Sequence, residues 1–379
     1  MQIPPPKNKL PLIIVVVFCL SLLSACGQVV QPDASASAGD AAIDAALVHY
    51  DAENYTAAIT QLTAFKNTYP NSPYLDEAQY FIGRSTHELA YLESIAPTAT
   101  LNYPYTFDAA RAEYAKLIND PINNARKWAD DAQYQIGSTY FDQLSYLPAL
   151  EAFEKVLAYT APSAGYSAQY YKARAIHALA KIEQAALQPT PSYPYTYDLA
   201  RAEYTKLLSP SANARSDDAQ YQIGMAHFDE GMGKAPNSAE DLALAMAAFD
   251  KVFAYTETPL AADAQFYKAR ATHGWAVALP NAPANFDLAR AEYALVKNHP
   301  PNNWLDDAAY QSALTYDDAE DCAAELGAME QFVLDYSSPQ TPTPSPFLAD
   351  AQKHIADLNL ALATPPGDFK DHKKCPRPV

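Results

Sequence analysis

The chain reads as an all-α protein, a solenoid of about seven antiparallel helix pairs closed by a C-terminal capping helix. Three observations predict this. The stretch Asp130 to Gly137, Asp-Asp-Ala-Gln-Tyr-Gln-Ile-Gly, returns letter for letter at Asp217 to Gly224. Looser copies place its alanine at Ala78, Ala168, Ala264 and Ala308, with a worn copy at Ala351. Five residues after each of the first six alanines stands a small residue: Gly83, Gly137, Ala173, Gly224, Ala269 and Ala313. Between the copies lies an alanine followed four residues later by a large apolar side chain. These pairs are Ala58 and Leu62, Ala110 and Tyr114, Ala149 and Phe153, Ala200 and Tyr204, Ala245 and Phe249, Ala289 and Tyr293, Ala328 and Phe332.

A spacing of four puts both members of a pair on one helical face. A residue that is always small marks a point where a second helix crosses too closely for anything larger. Each unit is therefore two antiparallel helices. The connection within units varies, from twelve residues between Gly137 and Ala149 to 27 between Gly83 and Ala110, while the connection between units stays at 24 to 27. Insertions have entered one edge of the stack. A longer period overlies this one: Asn102 to Leu117 returns at Ser192 to Leu207, and its core returns again at Phe286 to Tyr293. Units were duplicated in pairs.

The pattern resembles the tetratricopeptide repeat, whose first helix carries an apolar-Gly pair and whose second carries Ala-x-x-x-Phe. That family's Trp is absent here. Its aromatic three residues past the Gly stands as Tyr140 and Tyr316 but is replaced by His227.

In chain order, residues 1–25 lie outside the expected fold. Lys7 and Lys9 precede an apolar run from Leu10 to Leu23, too short for the ~20 residues of a bilayer-spanning helix, and this reads as a secretory signal. Leu23-Ser24-Ala25-Cys26 resembles a bacterial lipobox. That resemblance implies cleavage before Cys26, its acylation, and attachment to a membrane through several acyl chains. Gly27, rather than the Asp that retains such lipoproteins at the inner membrane, favours the outer membrane. Residues 26–40, small and polar, read as a flexible tether. The solenoid is expected over 41–363, beginning with a helix near Ala41 to Tyr50 and ending with a cap over Phe347 to Ala361 that covers the apolar end of the stack. Residues 364–379 read as a loose tail.

The formal net charge is -18, which argues against nucleic acid or an anionic membrane surface as the main partner. Cys322 and Cys375 remain once Cys19 leaves with the signal and Cys26 is acylated; in an oxidising compartment they form a disulfide or stay as two thiols.

No nucleophile elbow, phosphate loop, dinucleotide fingerprint or His-Glu-x-x-His occurs, so neither an enzyme nor a cofactor is indicated. No metal site is indicated either. His87, His177 and His273 stand nine residues after Ala78, Ala168 and Ala264, so duplication explains their recurrence. The acid pairs Asp76/Glu77, Asp130/Asp131, Asp217/Asp218 and Asp306/Asp307 open helices, where carboxylates cap free N–H groups and meet the positive dipole end. Arg111, Arg201 and Arg290 each follow an Asp by three residues and are expected to pair within their own helices.

One pattern points to binding. On the first helices of alternate units, one face carries Tyr80, Arg84 and His87, then Tyr170, Arg174 and His177, then Phe266, Arg270 and His273. Tyr134, Tyr221 and Tyr310 occupy the aromatic place on the intervening units. The tetratricopeptide resemblance implies that this face lines a concave groove suited to an extended peptide, the rings giving contact area and the guanidinium groups taking carboxylates or backbone carbonyls. The alternative is that each Arg pairs with an Asp of the adjoining unit and each Tyr packs between helices.

A lipobox followed by units phrased Asp-Asp-Ala-Gln-Tyr and Tyr-Asp-x-Ala-x-x-x-Tyr is similar to the BamD family, the lipoprotein of the outer-membrane β-barrel assembly machine. It is similar also to the periplasmic Tol-Pal coordinator called YbgF or CpoB. BamD proteins have five repeats against seven here. The resemblance implies a non-enzymatic scaffold at the outer membrane, facing the periplasm and binding protein partners of the envelope. A Tol-Pal or pilus-assembly accessory is the nearer alternative, and a cell-wall glycan-binding or glycan-processing accessory the more distant one.

Overall fold

The computed structural model describes residues 34–96, 104–118, 128–159, 162–186, 194–208, 215–234, 236–255, 258–279, 284–300, 303–337 and 345–363. The leader, Cys26 and the C-terminal tail with Cys375 lie outside them. Within them the chain is helical, with no strand. The helices are α1 (Ala34–Asp51), α2 (Tyr55–Thr68), α3 (Leu75–Ser94), α4 (Phe107–Ile118), α5 (Ala129–Asp142), α6 (Tyr146–Leu157), α7 (Gly165–Gln184) and α8 (Tyr197–Thr205). They continue as α9 (Ser216–Gly233), α10 (Ala239–Val252), α11 (Ala261–Ala278), α12 (Ala284–Leu295), α13 (Leu305–Asp318), α14 (Cys322–Tyr336) and α15 (Leu348–Ala363). A single 3-10 turn, Val296–Asn298, follows α12. The described helices form seven pairs and a cap. Helix α1 starts at Ala34, inside the stretch expected to be tether, where Ala-Ser-Ala-Ser-Ala has enough alanine to favour a helix.

Each helix packs on its chain neighbours, and the odd-numbered helices from α1 to α13 also pack on one another, α1 on α3, α3 on α5 and so on. No pair of even-numbered helices does so to a comparable extent. A stack whose rods touch along one layer only is curved towards that layer, so the odd helices form the inner face.

The small residues sit where the spacing requires. A Cβ placed on Gly83 would fall 2.7 Å from the ring of Tyr114, one on Gly137 2.5 Å from Phe153, and one on Gly224 2.6 Å from Phe249. The large side chains opposite the small positions, Tyr114, Phe153, Tyr204, Phe249, Tyr293 and Phe332, are all buried. The glutamine of the repeated motif ties the same pair together by its side-chain amide. Gln79, Gln133, Gln169, Gln220 and Gln265 donate to the backbone carbonyls of Glu113, Ala152, Glu203, Ala248 and Glu292 at 3.0, 3.3, 3.0, 3.0 and 2.9 Å. Each acceptor lies three residues past the second-helix alanine.

The two kinds of helix begin differently. Asn54, Thr106, Thr196, Ser238 and Asp321 accept from backbone N–H groups at the starts of α2, α4, α8, α10 and α14. Helices α3, α5, α9 and α13 start instead at Tyr74, Trp128, Arg215 and Trp304, with no side-chain cap. The acid pairs stand in the first turn, near the positive dipole end, but two of them reach onward instead of capping. Asp130 accepts from the Ser163 backbone N–H at 2.6 Å, and Asp217 accepts from the Thr258 hydroxyl at 2.9 Å. Three tight turns place a non-glycine in the left-handed region: Glu53 (φ 60), Leu144 (φ 58) and Glu320 (φ 61). They join α1 to α2, α5 to α6 and α13 to α14.

Candidate partner-binding face

The odd helices meet through two kinds of interface that alternate along the stack. In one kind, a histidine reaches an aspartate on the next odd helix. His87 on α3 lies 2.9 Å from Asp142 on α5, His177 on α7 lies 3.2 Å from Asp229 on α9, and His273 on α11 lies 3.0 Å from Asp318 on α13. The same interfaces carry a stacked lid. Trp128 lies on Tyr80 with ring centroids 4.7 Å apart, Trp304 on Phe266 at 4.4 Å, and the Arg215 guanidinium 5.2 Å over Tyr170. The bulky residue that starts each of these helices is therefore spent on the preceding unit. Phe347 does the same for the cap, 4.7 Å from Tyr310.

In the other kind, an arginine lies against a ring of the preceding odd helix. Arg84 is 5.7 Å from the Tyr50 centroid, Arg174 4.9 Å from Phe141, and Arg270 5.2 Å from Phe228. On their own helices, Arg174 is 5.4 Å from Tyr171 and Arg270 5.7 Å from Tyr267.

The candidate set read from the sequence is thereby divided. Tyr80, Tyr170, Phe266, Tyr310 and Tyr221 are buried, and Tyr134 is half-buried between Phe153 at 5.7 Å and Tyr171 at 5.9 Å. The three histidines are committed to aspartates. Arg84, Arg174 and Arg270 remain part-exposed, with 29 % of the Arg84 side chain accessible. Arg84 meets Glu88 of its own helix at 3.5 Å, while among the described residues Arg174 and Arg270 form no ion pair. Asp218 and Asp307 on the adjoining odd helices feel their fields without reaching them.

The rings that accompany these arginines at the surface are Phe81, Tyr171 and Tyr267, each half-buried. They escaped the sequence reading, although a signal existed. The residue three past the motif alanine alternates Phe81, Gln135, Tyr171, Gln222, Tyr267, Gln311.

Neither a known family profile nor a curated protein sequence matches the chain. Solved structures do. The C-terminal part of a TPR repeat-containing protein from Cytophaga hutchinsonii superposes with a TM-score of 0.53 at 14% identity, covering 82% of this chain and 98% of that one. A tetratricopeptide repeat protein from Parabacteroides merdae gives 0.48 at 10% identity over 86% and 99% of the two chains. The TPR2AB domain of yeast Sti1 in its pHSP90 complex gives 0.29 at 12% identity over 85% and 99%. The first of these, with the paired helices described above, decides the fold. The chain folds as a tetratricopeptide-like solenoid.

In this solenoid the second helices carry the ion pairs expected within them, Arg111 with Asp108, Arg201 with Asp198 and Arg290 with Asp287. Arg111 and Arg290 also stack 4.1 and 4.0 Å over Tyr140 and Tyr316. Where the fifth unit has His227 in place of that aromatic, Arg201 turns to Glu230 at 2.7 Å. Burial, and then the Arg201 charge, push His227 down to about 4. His227, Glu230 and Asp241 converge closely enough to hold a metal ion. The Lys234 ammonium, 3.2 Å from Glu230 and 2.5 Å from Asp241, already supplies the compensating charge. Cys322 is disulfide-bonded.

Proposed function

We propose that the protein is a non-enzymatic scaffold that holds extended segments of partner proteins against the inner face of its solenoid. The observation that carries this reading is the recurrence of Arg84, Arg174 and Arg270 every second unit on that face. Two of the three lack an ion pair among the described residues, in a chain of net charge -18. A guanidinium resting on rings is oriented but still has donors left for carboxylates and backbone carbonyls. Tyr80, Tyr170 and Phe266 are buried, and the half-buried Phe81, Tyr171 and Tyr267 are engaged by Tyr50, Arg174 and Arg270, an arrangement that supports a peptide over stacking on a glycan.

The lipobox resemblance at Cys26 supports attachment to the outer membrane with the solenoid facing the periplasm. The family resemblance supports a role in envelope assembly of the BamD or Tol-Pal kind. The test is co-purification from detergent-solubilised envelopes, comparing the native protein with the Arg84→Ala/Arg174→Ala/Arg270→Ala variant. Loss of the same proteins from the variant, with its helical spectrum unchanged, supports the reading. Full retention of every partner ends it.

A further inference from the structure

Cys322 opens α14, and the chain's other cysteines are Cys19, Cys26 and Cys375. One of these three, all outside the described residues, is its disulfide partner. Cys19 and Cys26 belong to the far end of the stack. Cys19 stands in the segment read as a signal, and Cys26 stands eight residues before Ala34, a reach of at most ~28 Å. Six steps along the odd-helix layer separate α1 from α13, each of about 8–10 Å.

The last two helices lead to Cys375 instead. Phe332, late in α14, and Phe347, just before α15, both lie against Tyr310, with ring centroids 5.6 and 4.7 Å away. Early in α14, Glu325 meets His354 in the middle of α15 at 3.1 Å. The two rods are therefore antiparallel, and Cys322 is level with Asp357. Helix α15 runs six residues past that level to Ala363, about 9 Å at the helical rise. Twelve residues then join Ala363 to Cys375, a length of at most ~40 Å. The Cys375 thiol can return to Cys322 with chain to spare.

Charge favours the same return. Residues 300–352 hold ten acidic side chains and no Lys, Arg or His. Four of the ten, Asp317, Asp318, Glu320 and Asp321, stand just before Cys322. Around Cys375 stand Lys370, Lys373, Lys374 and Arg377, against Asp368 and Asp371. Asp318 already meets His273, and Asp321 caps α14, so the attraction comes from the acidic run as a whole. Helix α15 also lacks support on one side. It packs on α14, and among the described residues no helix lies beyond it. Ala356, five past Ala351, is exposed in the small-residue place that a second helix covers in the other units.

We propose that residues 364–379 dock on the acidic turn between α13 and α14 and are locked there by a Cys322–Cys375 disulfide, a clip that fastens the capping helix. The bond joins the two sulfurs as each thiol gives up its hydrogen. The two electrons and two protons pass to a disulfide oxidant, whose own disulfide becomes two thiols. The clip lies at the end of the stack, so it stands or falls independently of partner binding on the inner face.

The test uses the full chain, purified without reductant and alkylated before digestion. Non-reducing peptide mapping by mass spectrometry should find the Cys322 peptide joined to the Cys375 peptide. Hydrogen exchange then reads what the clip does. Cys375→Ser, which alters no described residue, should speed amide exchange over 348–363 by about tenfold or more and leave α3 to α9 unchanged. In that Cys375→Ser chain, Lys370→Ala/Lys373→Ala/Lys374→Ala should speed it further. Alkylated Cys322 and Cys375, or Cys322 joined to Cys26 or to Cys322 of a second copy, overturns the proposal. Unchanged exchange in Cys375→Ser overturns the fastening of α15, and lysine changes without effect in that background overturn the docking.

Discussion

The Phe153 ring on α6 lies so close over Gly137 on α5 that a methyl group on the glycine would stand 2.5 Å from a ring carbon. Phe153 is fully buried and has nowhere to retreat. Alanine is the better helix former by ~1 kcal/mol, but overpacking of this kind costs ~1–3 kcal/mol. Gly137→Ala should therefore destabilise the protein in urea unfolding, by a net amount of up to about 2 kcal/mol. Gly327 on α14 is the control, since a Cβ there meets nothing within 4 Å. Gly327→Ala should stabilise by about 0.5–1 kcal/mol.

Tyr114, Tyr204 and Tyr293 occupy the position that is Phe153, Phe249 and Phe332 in other units, and their hydroxyls are buried with no hydrogen-bond partner among the described residues. Burial pushes the Tyr204 hydroxyl well above its ordinary pKa. Removing a buried donor that makes no bond relieves a desolvation cost of ~1–3 kcal/mol. Tyr204→Phe should leave the thermal midpoint unchanged or raise it. A clear fall would mean that the hydroxyl has a partner.

His227 titrates at about 4 in the folded chain against 6.5 for the free side chain. Between those values the unfolded chain binds more protons, so this group makes stability fall as pH drops from ~6.5 towards ~4. Its charged neighbours are Arg201, Glu230, Asp241 and Asp198. His227→Tyr, which copies the Tyr140 and Tyr316 positions, should flatten the stability curve in that window relative to the native protein. Urea midpoints at pH 7, 6, 5 and 4.5 measure this.

The capping helix is held by a buried polar contact, His354 Nδ1 on α15 lying 3.1 Å from Glu325 on α14. Glu325 is fully buried. Removing one member leaves the other buried and unsatisfied, at a cost of ~1–3 kcal/mol, while replacing both with apolar groups can be nearly neutral. His354→Leu should loosen α15, seen as faster amide exchange over 348–363, and Glu325→Leu/His354→Leu should recover much of the loss.

The helix pairs were legible because their rule is local. Small residues five past one alanine and large ones four past another fix which faces touch, whatever the curvature of the stack. The identity of the open face was not local. Tyr80 and Phe81 are adjacent and point about 100° apart on α3, and both are aromatic. Which of them turns inward depends on how the next unit is rotated, a quantity set by packing between units. The His87–Asp142 pair shows the same limit: the aspartates stand ten residues after Ala132, Ala219 and Ala308, in register with histidines one unit earlier. Either periodicity alone is explained by duplication. Only their juxtaposition across the interface gives them a role.

Site-specific photo-crosslinking in intact cells tests most directly whether partners use the inner face. Ser138 on α5 and Leu314 on α13 occupy the position of the three arginines in the intervening units. Leu147 on α6 and Leu244 on α10 lie exposed on second helices. A scaffold that works through its first helices should give protein adducts from crosslinkers at 138 and 314 and none from those at 147 and 244. Adducts from the second-helix positions alone would contradict it.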